Sequence, residues 1–200
     1  MSKTVEFFFD LGSPASYLAW TQLPRLCAEH GARLVLRPML LGGVFQATGN
    51  SSPAMIPAKA RYFARDLHRY AARYGVPLKF SEHFPINTLA LMRAAIGMQL
   101  RQPERFEAWL AAMYQALWGE GRNLGDLQVV AEVLQAAGFE TDGFEALVSD
   151  PEVKAALKAA TEEAVARGVF GAPSCFVGDE MFFGQDRLEF IAEALQAGGR

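Results

Sequence analysis

The chain has 200 residues, of which 51% are hydrophobic, so it can bury one sizeable core or two small ones. Its net charge of −3 and the lack of a basic stripe argue against nucleic-acid binding. No apolar run approaches the roughly 18 residues of a membrane helix, and the N-terminus lacks the long apolar core of a secretory signal. We therefore expect a cytoplasmic protein with neither a membrane nor a nucleic-acid partner.

The first elements predict a strand–helix–strand unit. Residues 4–9 and 33–39 have the apolar pattern of strands, and the segment from Ser13 to His30 has that of a helix. Because crossover connections of this kind join neighbouring strands, we expect the two strands to be parallel. Ser13 suits the N-cap and Pro14 the first helical position, and both are common at the start of a helix. The start of this helix nevertheless favours a bound carboxylate, phosphate or thiolate.

The middle of the chain, about residues 53–167, has a helical pattern throughout. Helix starts are indicated at Pro103, at Asp126, at Asp142 with Glu145 three residues later, and at Asp150-Pro151.

The end of the chain returns to β-structure. Residues 174–183 predict a β-hairpin with a turn at Gly178-Asp179, and a helix follows. Pro173 directly precedes the first of these strands. A cis peptide there would leave the main-chain groups of Ala172 free for a ligand, whereas a trans proline at the first residue of a strand is the ordinary alternative.

Five motifs, in order and covering nearly the whole chain, resemble one family. They are Asp10-x-x-Ser13-Pro14-x-Ser16-Tyr17-Leu18, Gly49-Asn50 followed by Pro57-x-Lys59-x-x-Tyr62, Phe84-Pro85-Ile86-Asn87-Thr88, Gly171-Ala172-Pro173, and Phe183-Gly184-Gln185-Asp186-Arg187. The chain is similar to the 2-hydroxychromene-2-carboxylate isomerases, glutathione-dependent relatives of the kappa-class glutathione transferases. The resemblance implies an α/β fold, a thioredoxin-like domain (βαβ, then β-hairpin and α) interrupted by an all-helical insertion. We assign residues 1–50 and 168–200 to the thioredoxin-like domain and residues 51–167 to the helical insertion domain.

The corner after the first strand reads Ser13-Pro14-Ala15-Ser16, where thioredoxin-like oxidoreductases carry C-x-x-C. Serine cannot exchange disulfides, so what remains is an anion site beside a hydroxyl, suited to the thiolate of an external thiol. Cys27 and Cys175 form no C-x-x-C pair, and we expect both to be reduced and buried, with no metal site.

The resemblance also implies roles for particular residues. Ser13 would be catalytic, as the hydrogen-bond donor to the sulfur of glutathione, the cofactor. The other implied glutathione contacts are Asn50, Ala172, Pro173, Gln185 and Asp186, and the implied substrate contacts are Asn50, Lys59 and Asn87. Phe45, Tyr62 and Phe84 are candidates to wall the pocket. From the residues alone, Gln185, Asp186 and Asn87 are equally typical of helix caps, and Lys59 of a solvated helix.

The resemblance therefore implies a glutathione-dependent isomerase that acts on a small aromatic carboxylate and forms a homodimer. A kappa-like transferase or peroxidase that consumes glutathione is the alternative among enzymes. A thiol-binding or chaperone-like protein without turnover is the alternative outside them.

Overall fold

The computed structural model describes residues 3–197. Its sheet has four strands, β1 (Thr4–Phe9), β2 (Arg33–Pro38), β3 (Ser174–Val177) and β4 (Glu180–Phe183), in the order β2-β1-β3-β4. β1 pairs in parallel with β2 and antiparallel with β3, which continues into β4 as a hairpin. The predicted parallel pair and the predicted hairpin are both confirmed.

The helices are α1 (Pro14–Glu29), α2 (Leu41–Thr48), α3 (Pro57–Tyr74), α4 (Leu89–Arg101), α5 (Phe106–Tyr114), α6 (Leu127–Ala136), α7 (Phe144–Ser149), α8 (Pro151–Ala166) and α9 (Leu188–Ala197). Short 3₁₀ turns at Pro53–Met55 and Pro103–Arg105 precede α3 and α5, and a π-helical turn at Gln115–Gly119 follows α5.

Most of the predicted helix starts are confirmed. Asp126 caps α6 by accepting a hydrogen bond from the Gln128 N–H, and Asp150 caps α8 in the same way. The predicted cap at Asp142 is wrong. α7 instead begins after Gly143, whose φ of +127° favours glycine, and no side chain caps it. Pro103 opens a 3₁₀ turn that leads into α5.

Alternating side chains of β1 build a core on each face of the sheet. Phe7 and Phe9 stack on one face. Phe9 also packs against Tyr114 of α5, with the two ring centroids 6.1 Å apart. Phe8 points to the other face and meets Phe176 edge to face. The Phe7 and Phe9 face of the sheet therefore shares one large core with the helices, and the Phe8 face belongs to a smaller, separate cluster. The assignment of residues 51–167 as an insertion domain stays a prediction, and residues 1–2 and 198–200 of the assigned thioredoxin-like part lie outside the described residues.

The helices within residues 3–197 include none that is long and apolar enough to cross a membrane. Both cysteines, Cys27 and Cys175, are buried free thiols, as expected.

Candidate active site

Ser13 lies at the corner between β1 and α1. It caps α1 as predicted, because its Oγ accepts a hydrogen bond of 3.1 Å from the Ser16 N–H. Its own hydroxyl donates to the main-chain oxygen of Ala172 at 2.9 Å. The N–H of Ala15 has no acceptor among the described residues, and Pro14 carries no N–H at all. The corner therefore presents one free donor and one hydroxyl at the positive end of a helix.

The segment before β3 faces this corner. The peptide between Ala172 and Pro173 is cis, which decides between the two alternatives left by the sequence. The Ala172 carbonyl accepts from Ser13, whereas its N–H has no partner in the part of the chain that the structure describes. The Pro173 carbonyl accepts from the Gly184 N–H at 3.0 Å, which ties this segment to the end of β4.

A cavity of about 470 Å³ opens between these segments and the start of α3. This volume is typical of small-molecule sites, which are about 300–1,000 Å³. It brings together seven of the eight site residues predicted from the sequence: Ser13, Asn50, Lys59, Ala172, Pro173, Gln185 and Asp186. A larger groove between α2, α4 and α8, of about 840 Å³, contains none of them.

The eighth residue, Asn87, is not in the lining of the cavity. Its Oδ1 accepts a hydrogen bond of 2.9 Å from the N–H of Leu89, the first residue of α4. The structure therefore places Asn87 at a helix start, as the alternative in the sequence analysis had it. Tyr62 is also outside the lining, with 64% of its surface exposed, whereas Phe45 and Phe84 form part of the wall.

Gln185 and Asp186 reach the cavity from the loop before α9. Gln185 is only 5% exposed, and its main-chain oxygen accepts a hydrogen bond of 2.5 Å from the Tyr74 hydroxyl. Its side-chain amide makes no hydrogen bond within residues 3–197. Asp186 accepts from Arg187 at 2.8 Å. Within residues 3–197 neither side chain accepts a hydrogen bond from the first turn of α9, so the unpaired amide of the largely buried Gln185 is available to a ligand.

Asn50 and Lys59 approach from the other side. The Asn50 amide donates to the Phe170 carbonyl at 2.8 Å and thereby joins the loop after α2 to the segment before Pro173. Lys59 lies in the first turn of α3 and forms no ion pair with any described residue. A cation at this end of a helix opposes the helix dipole, and an anionic ligand would relieve that repulsion.

Asp10 has a buried side-chain carboxyl group and has no predicted role beyond its place in the first motif. Its side chain accepts hydrogen bonds from the N–H groups of Gly12 and Leu41 and from the Thr88 hydroxyl. Burial raises the pKa of Asp10, and these hydrogen bonds oppose the rise. The sequence signal for this residue is an acidic side chain directly after a largely apolar strand. No local pattern in the sequence indicates its partners Leu41 and Thr88.

The protein brings no thiol of its own to this corner. Neither Cys27 nor Cys175 is among the residues that line the cavity. Burial raises the pKa of Cys27 to about 11 and that of Cys175 further still, so neither forms a thiolate near neutral pH.

The DsbA-like thioredoxin domain family matches residues 4–196 of the chain. The chain is 34% identical over 198 residues to the 2-hydroxychromene-2-carboxylate isomerase of Sphingobium xenophagum, covering 98% of this chain and 99% of that protein. The chain belongs to the 2-hydroxychromene-2-carboxylate isomerase family.

Two further relatives support this membership. Human glutathione S-transferase kappa 1 is 30% identical over 207 residues, covering 98% of this chain and 92% of that protein. A solved structure of a 2-hydroxychromene-2-carboxylate isomerase superposes with a TM-score of 0.84 at 30% identity, covering 98% of this chain and 96% of that one. The predicted thioredoxin-like fold is confirmed, and the protein is an enzyme of this isomerase and kappa-transferase family.

Proposed function

We propose that the protein is a glutathione-dependent isomerase that interconverts 2-hydroxychromene-2-carboxylate and trans-o-hydroxybenzylidenepyruvate. One observation carries the proposal. The corner where thioredoxin-like oxidoreductases keep their thiols here offers the Ser13 hydroxyl and the free Ala15 N–H, but no cysteine. Since both cysteines of the chain are buried elsewhere, a sulfur at this corner has to come from a bound thiol.

The polar groups that line the cavity fit glutathione. The Ala172 N–H and the Gln185 amide are hydrogen-bonding groups without partners among the described residues, and they suit a peptide-like ligand. The Asp186 carboxylate suits the ammonium of the γ-glutamyl end. Pro173 fixes the segment that carries Ala172, and Asn50 retains a second amide N–H beyond the one bound to Phe170.

Holding the sulfur as a thiolate needs a modest energy. A free thiol with a pKa of about 8.5 is only about 3% ionised at pH 7, and lowering that pKa by about two units makes roughly three quarters of it thiolate. The shift corresponds to about 2.7 kcal/mol of preferential interaction. One charge-assisted hydrogen bond, about 1.5–3 kcal/mol, and a helix N-terminus, about 0.3–1 kcal/mol, together supply it.

Bound glutathione would supply a thiolate for reversible addition to the conjugated double bond of the substrate. Once the ring C–O bond of the hemiketal is open, the bond made single by this addition could rotate, and elimination of the thiolate would restore the double bond and return glutathione unchanged. Ser13 donates a hydrogen bond to the sulfur and is not itself the nucleophile. Lys59 would bind the carboxylate of the substrate, which its position in the cavity lining and the lack of an ion pair with any described residue support. Phe45 and Phe84 provide apolar walls for a flat ring and exclude water from it.

A kappa-like transferase is the second candidate, and the 30% identity to the human kappa-class enzyme favours it specifically. The two functions differ in the fate of glutathione. An isomerase returns it unchanged, whereas a transferase consumes one glutathione for each electrophile. A thiol-binding protein without turnover would do neither.

The experiment starts two reactions, one from 2-hydroxychromene-2-carboxylate and one from trans-o-hydroxybenzylidenepyruvate, each with a catalytic amount of glutathione. The isomerase should bring both mixtures to the same equilibrium, with all glutathione recovered. A parallel assay with chlorodinitrobenzene tests the transferase. Stoichiometric loss of glutathione to a stable conjugate would establish the transferase instead, and turnover without any thiol would exclude both.

A further inference from the structure

Asp10 connects three separate segments of the chain. It is 1% exposed and lies three residues before Ser13. Its Oδ1 accepts from the N–H of Gly12 at 2.8 Å, and its Oδ2 accepts from the N–H of Leu41 at 2.8 Å and from the hydroxyl of Thr88 at 3.1 Å. Gly12 belongs to the Ser13 loop, residues 10–13, which joins β1 to α1. Leu41 is the first residue of α2, and Thr88 lies directly before α4.

The carboxylate caps α2 from outside that helix. The residue before α2, Leu40, offers no side-chain cap, so the Leu41 N–H at the positive end of the helix is satisfied by Asp10. Leu41 and Phe45 of the same helix line the cavity. Asp10 therefore sets the position of one cavity wall relative to the Ser13 loop.

The packing beside this carboxylate leaves no free space. A Cβ on Gly12 would come within 2.7 Å of the Thr88 methyl group, so the Ser13 loop and the start of α4 are in close contact. Two side chains hold the backbone of Leu11 in this loop: Trp118 Nε1 donates to its carbonyl at 2.8 Å, and Met92 Sδ of α4 accepts from its N–H at 3.3 Å. These contacts tie the loop to the helical part of the chain, and among residues 3–197 Asp10 is the group that hydrogen-bonds both the start of α2 and the residue before α4.

All three partners of Asp10 are donors. A carboxylate accepts from all of them, whereas an asparagine would turn an N–H₂ group toward at least one donor and leave that donor unsatisfied. Burying a carboxylate costs stability, and a buried acidic group beneath a polar loop is typical of a functional site. Because Asp10 is not among the cavity-lining residues, it acts through the groups that it holds.

We propose that Asp10 is a positioning residue for the sulfur site: by tying the Ser13 loop, and with it the start of α1, to α2 and α4, it fixes the Ser13 hydroxyl and the Ala15 N–H relative to the cavity. The inference rests on the proposed function of Ser13. Removing the tie should loosen the donors around the sulfur while leaving the groups that hold the peptide part of glutathione, Ala172, Gln185 and Asp186, in place.

The test compares Asp10→Asn and Thr88→Val with a control, Thr21→Val, which removes a hydroxyl bonded to the Leu18 carbonyl at 2.7 Å outside the cavity lining. Three quantities are measured: hydrogen exchange over residues 9–17 without any ligand, thiolate absorbance with glutathione, and kcat and KM. Asp10→Asn should speed hydrogen exchange in the loop. It should also lower kcat at pH 7 about tenfold and leave the KM for glutathione within about twofold of the wild-type value, because one hydrogen bond at the sulfur is lost. Thr88→Val should act in the same direction more weakly, and Thr21→Val should match the wild type.

Folding is checked by a single melting transition. If Asp10→Asn fails to fold, the Thr88→Val variant tests the inference, because it removes one of the three donors and leaves the carboxylate in place. Unchanged exchange and an unchanged thiolate signal would overturn the inference. So would a parallel loss of kcat and glutathione affinity, because that pattern indicates general structural damage. If the wild type binds no glutathione, the proposed function fails, while the ligand-free exchange measurement still decides whether Asp10 holds the loop.

Discussion

The hydroxyl of Ser13 donates to the main-chain oxygen of Ala172 across 2.9 Å, joining residues 159 positions apart in the chain. A hydroxyl rotates freely about its C–O bond, so the same group can turn from this carbonyl to a bound sulfur. The carbonyl then needs a new donor, which the N–H of a peptide-like ligand can supply. We therefore expect binding of the thiol and formation of the sulfur hydrogen bond to be coupled at this contact.

Replacing Ser13 with alanine should remove the donor to the sulfur. We expect the pKa of bound glutathione to rise by about one to two units and kcat at pH 7 to fall about 10- to 100-fold, since one charge-assisted hydrogen bond is lost. Thiolate is present above the pKa of the complex and is lost as the pH falls through it. The acidic limb of the pH–rate profile should therefore move to higher pH, together with the thiolate absorbance near about 240 nm.

The matched control for this change is Ser81→Ala, which removes a serine that accepts from the His83 N–H outside the cavity lining. It should leave the profile unchanged. If Ser13→Ala also keeps its profile and its thiolate signal, Ser13 is only the cap of α1.

Replacing Ser13 with cysteine tests the corner without any ligand. The start of α1 should lower the pKa of the new thiol below the ordinary value of about 8.5. The two native thiols do not interfere, because burial raises the pKa of Cys27 to about 11 and that of Cys175 further. Titration of thiolate absorbance should thus show one new step. Ser16→Cys is the control, since Ser16 is fully buried and a thiol there should stay protonated. A Ser13→Cys pKa at or above the ordinary value would contradict an anion-stabilising corner.

The strands and most helix starts could be predicted because their signals are local. Apolar β1, the Gly178 turn and the caps at Asp126 and Asp150 each depend on a few neighbouring residues. Asp142 shows how such a signal fails. Its spacing to Glu145 is that of a capping box, but the chain turns at Gly143 and α7 begins without a side-chain cap.

The site could be predicted where residues matched motifs and could not where distant contacts decide. Asn87 matches a motif, yet its oxygen is used by the first turn of α4. Tyr62 lies on α3 beside Phe63, but only Phe63 lines the cavity, because neighbouring positions on a helix point to different faces. Two of the three partners of Asp10 lie 31 and 78 residues away, so no local pattern could reveal them.

Trp118→Phe should destabilise the protein by removing support from behind the Ser13 loop. The indole N–H is the donor to the buried Leu11 carbonyl, and leaving such a group unsatisfied costs about 1–3 kcal/mol. Urea denaturation should show a loss of at least that size in the free energy of unfolding with an unchanged m-value. The smaller ring still offers an aromatic neighbour to Phe80 and Phe84, but at this fully buried position it leaves a cavity that adds to the loss. A variant as stable as the wild type would show that the Leu11 carbonyl finds another donor.

Lys59→Ala should weaken binding of a carboxylate substrate without altering the chemical step. The ammonium has no ion pair among the residues of the described chain, so an anion in the cavity would be its partner. We expect the KM for the carboxylate substrate to rise about 5- to 20-fold with kcat within about twofold, as for the loss of one charge-assisted contact made equally in ground and transition states. Lys59→Arg should recover part of the loss, and Lys154→Ala, an exposed lysine of α8 outside the cavity, should have no effect. An electrophile without a carboxylate, such as chlorodinitrobenzene, provides the second control. If its kinetics fall as much as those of the carboxylate, Lys59 acts on glutathione or on the fold instead of on the substrate.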